Sequence, residues 1–249
     1  MKNRSTAEGP ANIVKDGLRF NIDPANERSY YGSNTQLRDI TKNSWDMTLS
    51  NSPTYTTDYK GSMTFSRAAN QSFTLSPIFL TTESFAVDVW LTPTPQAGTS
   101  WPGIISTGDL VSTVSNTSVG WGLGWFGGSS GYLNRCTYGA VVTGSSIPAT
   151  LIRAEVANVL SDGQLVNLIF TRNTIDARFE LYVNGKLGGT IACSNNYSVS
   201  SSSLIRPWIW QYTKPANGTY HSIKMYTGTN FGAEEVSQNY NALKYRFGL

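Results

Sequence analysis

Cysteine, histidine and charge are all scarce in this sequence. Of 249 residues two are cysteine and one is histidine, while Asp, Glu, Lys and Arg together make up 14%. Cys136 and Cys193 stand apart, with no C-x-x-C spacing and no second pair. That excludes a cysteine zinc site and a disulfide framework, and both are expected to be small buried hydrophobes. A lone histidine, His221, excludes multi-histidine metal centres and leaves one candidate for a Ser-His arrangement. It shares parity with Ile223 and Met225, so a core or strand-end histidine bonded to backbone is expected. The 19 basic and 16 acidic residues leave a net charge of +3. They are spread thinly, without the basic stripe that a phosphate backbone requires, so no nucleic-acid partner is expected. Long hydrophobic runs are missing as well. The amino terminus has early positive charge but no signal-peptide core, and no segment is long enough to span a bilayer. A soluble protein made in a cytoplasm, with no membrane partner, is the expectation.

What the chain has in quantity is 23 Gly, 13 Tyr and 7 Trp within a 39% hydrophobic total, a mix that suits strands and tight turns rather than helical bundles. Residues 1–14 are polar and aperiodic, and are read as a flexible arm preceding one domain over 15–249. In 84–93, Phe85, Val87, Val89 and Leu91 alternate with Ala86, Asp88 and Trp90, the period of a half-buried strand. Val166, Leu168 and Phe170 share one face of a second strand, and Phe179, Leu181 and Val183 one face of a third. Asn184-Gly185 follows directly and supplies the positive φ angles of a type I′ turn, which predicts a hairpin between Phe179–Asn184 and Lys186–Ala192. Further strands are predicted at Gly17–Asp23, Gly61–Ser66, Ser72–Leu75, Gly103–Ser106, Val119–Phe126, Ala140–Val142, Leu204–Gln211 and Tyr220–Tyr226. Roughly a dozen short strands imply a sandwich. Ala233, Val236, Tyr240, Leu243 and Phe247 recur at helical spacing at the carboxyl end, with Glu234 and Glu235 in the first turn and Lys244 and Arg246 in the last.

Four of these segments carry a family likeness. Residues 17–41 contain Asp23-Pro24-Ala25-Asn26, Ser29-Tyr30, Gly32-Ser33 and Asp39 in order. SFAVDVWLTP at 84–93, LVNLIFTR followed by FELYVNGKLGG, and the closing strand and helix from Ser222 complete the set. Together they resemble the laminin-G-like, concanavalin A-like lectin and glucanase superfamily, particularly its copies in phage and other viral structural proteins. The resemblance spans nearly all of 17–249 and implies an all-β, concanavalin A-like jelly-roll β-sandwich with a short C-terminal helix. Such a fold hosts lectins, glucanases and inert modules alike, so function rests on sites.

Retaining glucanases of that superfamily carry E-x-D-x-x-E on one strand, where alternate residues point the same way and two carboxylates flank one glycosidic bond. None of the 16 acidic residues here stands two positions from another, and Asp88, in the acidic place of the strand motif, has Ala86 and Trp90 for neighbours. No enzymatic activity is expected. Gly120-Trp121-Gly122-Leu123-Gly124 lacks the context of a phosphate loop. Asp23, Asn26 and Asp39 could offer oxygens to calcium, but read better as turn caps, so neither metal nor cofactor is expected.

Aromatic rings remain as the binding signal, because sugars stack their apolar C–H faces on exposed rings. Trp101, Trp121, Trp125, Tyr132, Asn134, Arg135, Trp208 and Trp210 are the candidate glycan or protein contacts, with burial in the core or at a subunit interface as the plainer reading. The leading expectation is a virion structural accessory protein, such as a capsid decoration, knob or tail-associated component, assembled in the host cytoplasm. It would contact other capsid or tail proteins and self-associate. The alternative is a carbohydrate-binding adhesin for host surface glycans, and the third is a glycan hydrolase.

Overall fold

The computed structural model describes residues 12–32, 35–75, 83–94, 103–107, 120–126, 135–144, 147–161, 163–194 and 217–249, with the backbone alone at 125–126, 141, 143–144 and 147–151. In chain order the strands are β1 (Leu18–Ile22), β2 (Gln36–Leu37), β3 (Met47–Ser50), β4 (Thr54–Thr56), β5 (Ser62–Phe65), β6 (Ser72–Thr74), β7 (Phe85–Pro93) and β8 (Gly103–Ser106). There follow β9 (Gly120–Phe126), β10 (Arg135–Gly144), β11 (Ile147–Val156), β12 (Val166–Asn173), β13 (Arg178–Val183), β14 (Lys186–Ala192) and β15 (Gly218–Thr227), then helix α1 (Ala233–Lys244). The large sheet runs β14-β13-β12-β7-β15-β5-β4, with β1 also on β15. A four-stranded sheet runs β11-β10-β9-β8, and a small one β2-β3-β6. This is the mostly β sandwich with one short carboxyl-terminal helix that the sequence implied.

Strand alternation decides what fills the space between the sheets. Phe85, Val87, Val89 and Leu91 of β7, Leu168 and Phe170 of β12, and Phe179 and Leu181 of β13 meet Trp121 and Leu123 of β9 and Cys136, Tyr138 and Ala140 of β10 in one buried cluster. Each such side chain contributes roughly 1.5–3 kcal/mol when removed from water. Cys136 and Cys193 are both buried and unbridged, as expected of small hydrophobes. The hairpin forms as read, since Asn184 and Gly185 adopt φ of 49° and 78°, and β13 pairs with β14.

The reading of β7 as half-buried is corrected. Apart from Thr92 the whole strand is buried, because α1 covers the second face. The Trp90 ring stacks on Phe247 at 4.5 Å and on Tyr240 at 5.5 Å between centroids. Ala86 packs with Val236, Tyr226, Phe231 and Val14. The helix begins where the Glu235 carboxylate accepts the Gly232 N–H at 2.9 Å, reciprocating an exposed end.

Beneath the helix lies a polar knot. Asp88 accepts from Asn167 Nδ2 at 2.7 Å and from Asn239 Nδ2 at 3.0 Å, and stands 3.5 Å from Lys224 Nζ. Both charges are buried. Asn239 also donates to the Tyr226 hydroxyl at 2.8 Å and accepts from Val14 N at 2.9 Å. Burial, and after it the Asp88 charge, raises the Tyr226 phenol well above its ordinary range. Ile13 and Val14 are buried too, so the packed domain begins before residue 15, the arm boundary read from sequence. Residues 1–11 lie outside the described residues.

His221 is buried, but on the opposite side from its expected companions. The pairing of β15 with β7 shifts register between Tyr220 and Ser222, and this bulge lets Tyr220, Ile223 and Met225 all face the main core while His221 turns outward under the carboxyl end. Its partners are hydroxyls rather than backbone. Nδ1 lies 2.7 Å from Ser62 Oγ, and Nε2 2.9 Å from Thr92 Oγ1. Arg246 clamps the same place, donating to Asp23 Oδ1 at 2.7 Å, to the Tyr59 carbonyl at 2.7 Å and to the Gly61 carbonyl at 2.8 Å.

The sequence reading omitted the short strands β2, β3 and β4, and the whole of β11. It also placed only Ala140–Val142 of β10. The predicted strand Leu204–Gln211 lies outside the described residues.

Candidate functional site

The outward face of the four-stranded sheet is built differently from the face under the helix. On β9 and β10 the core takes Trp121, Leu123, Cys136, Tyr138 and Ala140. Alternation therefore turns Gly120, Gly122 and Gly124 of β9, and Thr137 and Gly139 of β10, to the other side. Gly139 has φ of 155°, and a Cβ there would meet the Ile152 carbonyl oxygen at 2.1 Å. These glycines and Thr137 are themselves buried, so the strip allows close packing onto the backbone without being an open surface. Beside it stand charges: Arg135 Nη1 and Glu155 Oε2 are 3.3 Å apart and partly exposed, while Arg153 on the same face of β11 is exposed.

One end of this sheet gathers several chain segments. Gly103 pairs with Gly124, and Arg135 with Phe126. On the large sheet Gly218 pairs with Pro93, and the Tyr220 hydroxyl donates to the Ile104 carbonyl at 2.8 Å, joining the two layers. Residues 94, 103, 126, 135 and 217 thus sit at a common end. They bracket segments 95–102 and 127–134 on both sides and 195–216 at its far side.

Among the expected contacts, Arg135 is placed on this rim. Trp121 is not available to a ligand. It is 1% exposed and its ring lies 5.5 Å from that of Phe85 and 6.2 Å from that of Phe170, because its parity with Leu123 points it into the sandwich. Trp125 occupies β9 opposite Cys136, with only its backbone described. Trp101, Tyr132, Asn134, Trp208 and Trp210 lie outside the described residues. Arg153 and Glu155 were missed, although Ile152, Ala154 and Val156 alternate with them at the period of a strand.

The four buried carboxylates among the described residues are each engaged as acceptors. Asp23 holds Arg246 and the Ala25 N–H. Asp39 accepts from the Asn21, Thr41 and Trp45 N–H groups and from the Thr41 hydroxyl at 2.6 Å. Asp88 sits in the polar knot, and Glu180 meets Arg178 Nε at 2.8 Å and the Tyr182 hydroxyl at 3.0 Å. Asn26 caps its own turn through the Arg28 N–H at 3.0 Å. Those three calcium candidates, Asp23, Asn26 and Asp39, therefore serve turns. No cluster of three or more His, Cys, Asp or Glu with metal-binding geometry occurs among the described residues. His221 is held neutral, its pKa lowered to about 3 by burial and then by the Arg246 charge.

No protein-family model matches the sequence, and no curated relative matches it. Solved structures share its shape. The binding domain of paraclostridial mosquitocidal protein 1 corresponds with a TM-score of 0.66 at 11% identity, over 91% of this chain and 52% of that one. The ligand-binding domain of botulinum neurotoxin serotype D, in complex with N-acetylneuraminic acid, gives 0.65 at 11% identity over 91% and 51%. Domain 4 of AbnA, an extracellular arabinanase from Geobacillus stearothermophilus in complex with arabinotriose, gives 0.60 at 13% identity over 91% and 99%. The chain spans about half the length of those toxin domains and nearly all of the arabinanase domain. At such identities the correspondence is one of fold, and it places the chain among β-sandwich domains.

Proposed function

We propose that this chain is a carbohydrate-binding module that holds glycans at the charged rim of the four-stranded sheet, without cleaving them. The observation that carries the reading is the match to 99% of a domain solved with arabinotriose. In that protein, a sandwich of this extent holds an oligosaccharide with no added domain. The architecture here supplies what such binding needs. Arg135 and Glu155, partly exposed, and Arg153, exposed, offer hydrogen bonds along the rim, and residues 94, 103, 126 and 135, which flank in sequence the segments carrying Trp101, Tyr132 and Asn134, lie at that end. The engagement of the buried carboxylates within the fold favours binding over hydrolysis, which needs one carboxyl free as acid and a second nearby. A capsid or tail role draws on the sequence resemblance alone, and the glycan reading takes precedence over it.

The test is a glycan array followed by calorimetry on the full chain, including arabinan and host-surface glycans. Binding that falls about threefold to tenfold in Trp101→Ala, as expected for loss of one stacking ring, and that also falls in Arg135→Ala, supports the proposal. A blank array overturns it, and release of reducing sugar from a bound glycan would replace binding with hydrolysis.

A further inference from the structure

A second concave feature lies away from the rim. Lys15, Leu18, Arg19, Thr41, Lys42 and Asn43 line an open pocket of about 240 Å³. It is below the roughly 300 Å³ at which drug-sized pockets begin, and so suits a single small polar group or one sugar unit. Its walls are tied together. The Arg19 carbonyl accepts from both the Thr41 hydroxyl at 3.1 Å and Asn43 Nδ2 at 2.7 Å. The floor of the 15–18 turn is fixed by Thr227 N donating to the Gly17 carbonyl at 2.9 Å, and a Cβ on Gly17 would meet the Thr227 carbonyl at 2.6 Å.

Three of the six lining residues are cationic. Arg19 is already oriented, since its Nε donates to Thr227 Oγ1 at 3.1 Å. Its two terminal nitrogens make no hydrogen bond among the described residues, which leaves a planar pair of donors for an oxyanion. Among the described residues the acids nearest Arg19 are directed elsewhere. Asp39 is buried and spent on the Asn21, Thr41 and Trp45 N–H groups, and Asp16, next to Lys15, is exposed to solvent and absent from the lining. Thr41 and Asn43 add neutral hydrogen-bonding groups of the kind that sugar hydroxyls need.

We infer that this pocket is an oxyanion subsite taking the carboxylate or sulfate of an acidic saccharide. The saccharide part rests on the glycan-binding reading above. The subsite itself is spatially independent of the rim, because Leu18 pairs with Tyr226 and Thr227 with Phe85, at the far end of β7 from Pro93.

The experiment is calorimetry on the full chain with sialyllactose, a heparin tetrasaccharide, lactose, arabinotriose and inorganic sulfate. Acidic saccharides should bind more tightly than neutral ones and weaken as salt rises from roughly 0.1 to 1 M. Arg19→Ala should lose about tenfold or more for the acidic probes, with Arg19→Lys intermediate because it keeps the charge but not the fork. Lys42→Glu, on an exposed side chain, should abolish the preference while thermal unfolding and neutral-sugar binding stay unchanged. Sulfate competing with the acidic probes supports the inference, and sulfate binding without any acidic saccharide overturns its saccharide half. Neutral binding with no acidic preference, or a preference that survives both Arg19→Ala and Lys42→Glu, overturns the subsite and leaves the module reading intact. Silence from every probe overturns both.

Discussion

The two outward faces of the sandwich have opposite designs. Behind β7, β12 and β15 the surface is sealed: α1 lays Val236 and Leu243 onto it and the turn after it adds Phe247, and the Asp88 knot is satisfied from strand, helix and amino-terminal segment together. Behind β9 and β10 the buried strip is of Gly120, Gly122, Gly124 and Gly139, and Arg135, Arg153 and Glu155 reach solvent beside it. The first face uses large rings and buried charge to fix one arrangement, while the second minimises side-chain bulk. Large buried rings and a buried ion pair are therefore concentrated on one side, while the other carries exposed polar side chains over a strip without bulk, and on the proposed function recognition would use that second side.

The sharpest way to break that contrast is Asp88→Ala. It leaves Lys224 buried without its carboxylate partner and should cost about 3–5 kcal/mol in urea unfolding. The paired change Asp88→Leu with Lys224→Met should recover much of this, since removing both charges removes the penalty. Trp90→Ala should cost about 3–5 kcal/mol as well, with loss of near-ultraviolet ellipticity from the Tyr240 and Phe247 stack. A smaller effect comes from His221. Its folded pKa of about 3 lies below the ordinary value of 6.5, so the unfolded chain takes up a proton that the folded chain refuses. This contribution is complete above pH about 6.5 and declines as pH falls toward 3, by about 1.4 kcal/mol per unit. His221→Asn should flatten that slope. Smallest of all, Arg135→Ala should shift stability by less than about 0.5 kcal/mol, as surface pairs do, while lowering glycan affinity. A large loss of stability from Arg135→Ala would show that the two faces are not divided as described.

Much of the scaffold was legible because it is local. Alternation in β7, the Asn-Gly turn and the three- and four-residue spacing of α1 each fix a neighbour a few residues away. What escaped depends on partners far along the chain. β11 is held by β10 along its length, so its own modest alternation was a weak signal. The bulge at His221 exists only because β15 must match β7. Asp88 showed as an acid lacking a partner at 86 or 90, and its real partners, Asn167 and Asn239, lie 79 and 151 residues away. The rim was half legible: Arg135 was named, Trp121 was offered as a contact beside the plainer reading of core burial, which its parity with Leu123 bears out, and the cationic pocket needed residues 15–19 and 41–43 to meet.

The helix-side contacts also orient the molecule relative to anything joined to it. Asn12 and Val14 bond to Gln238 and Asn239, and Leu249 closes on Lys244, so residues near both extremities emerge over α1. A tether attached after Leu249 would pull from the helix side and leave Arg135, Arg153 and Glu155 on the side away from it.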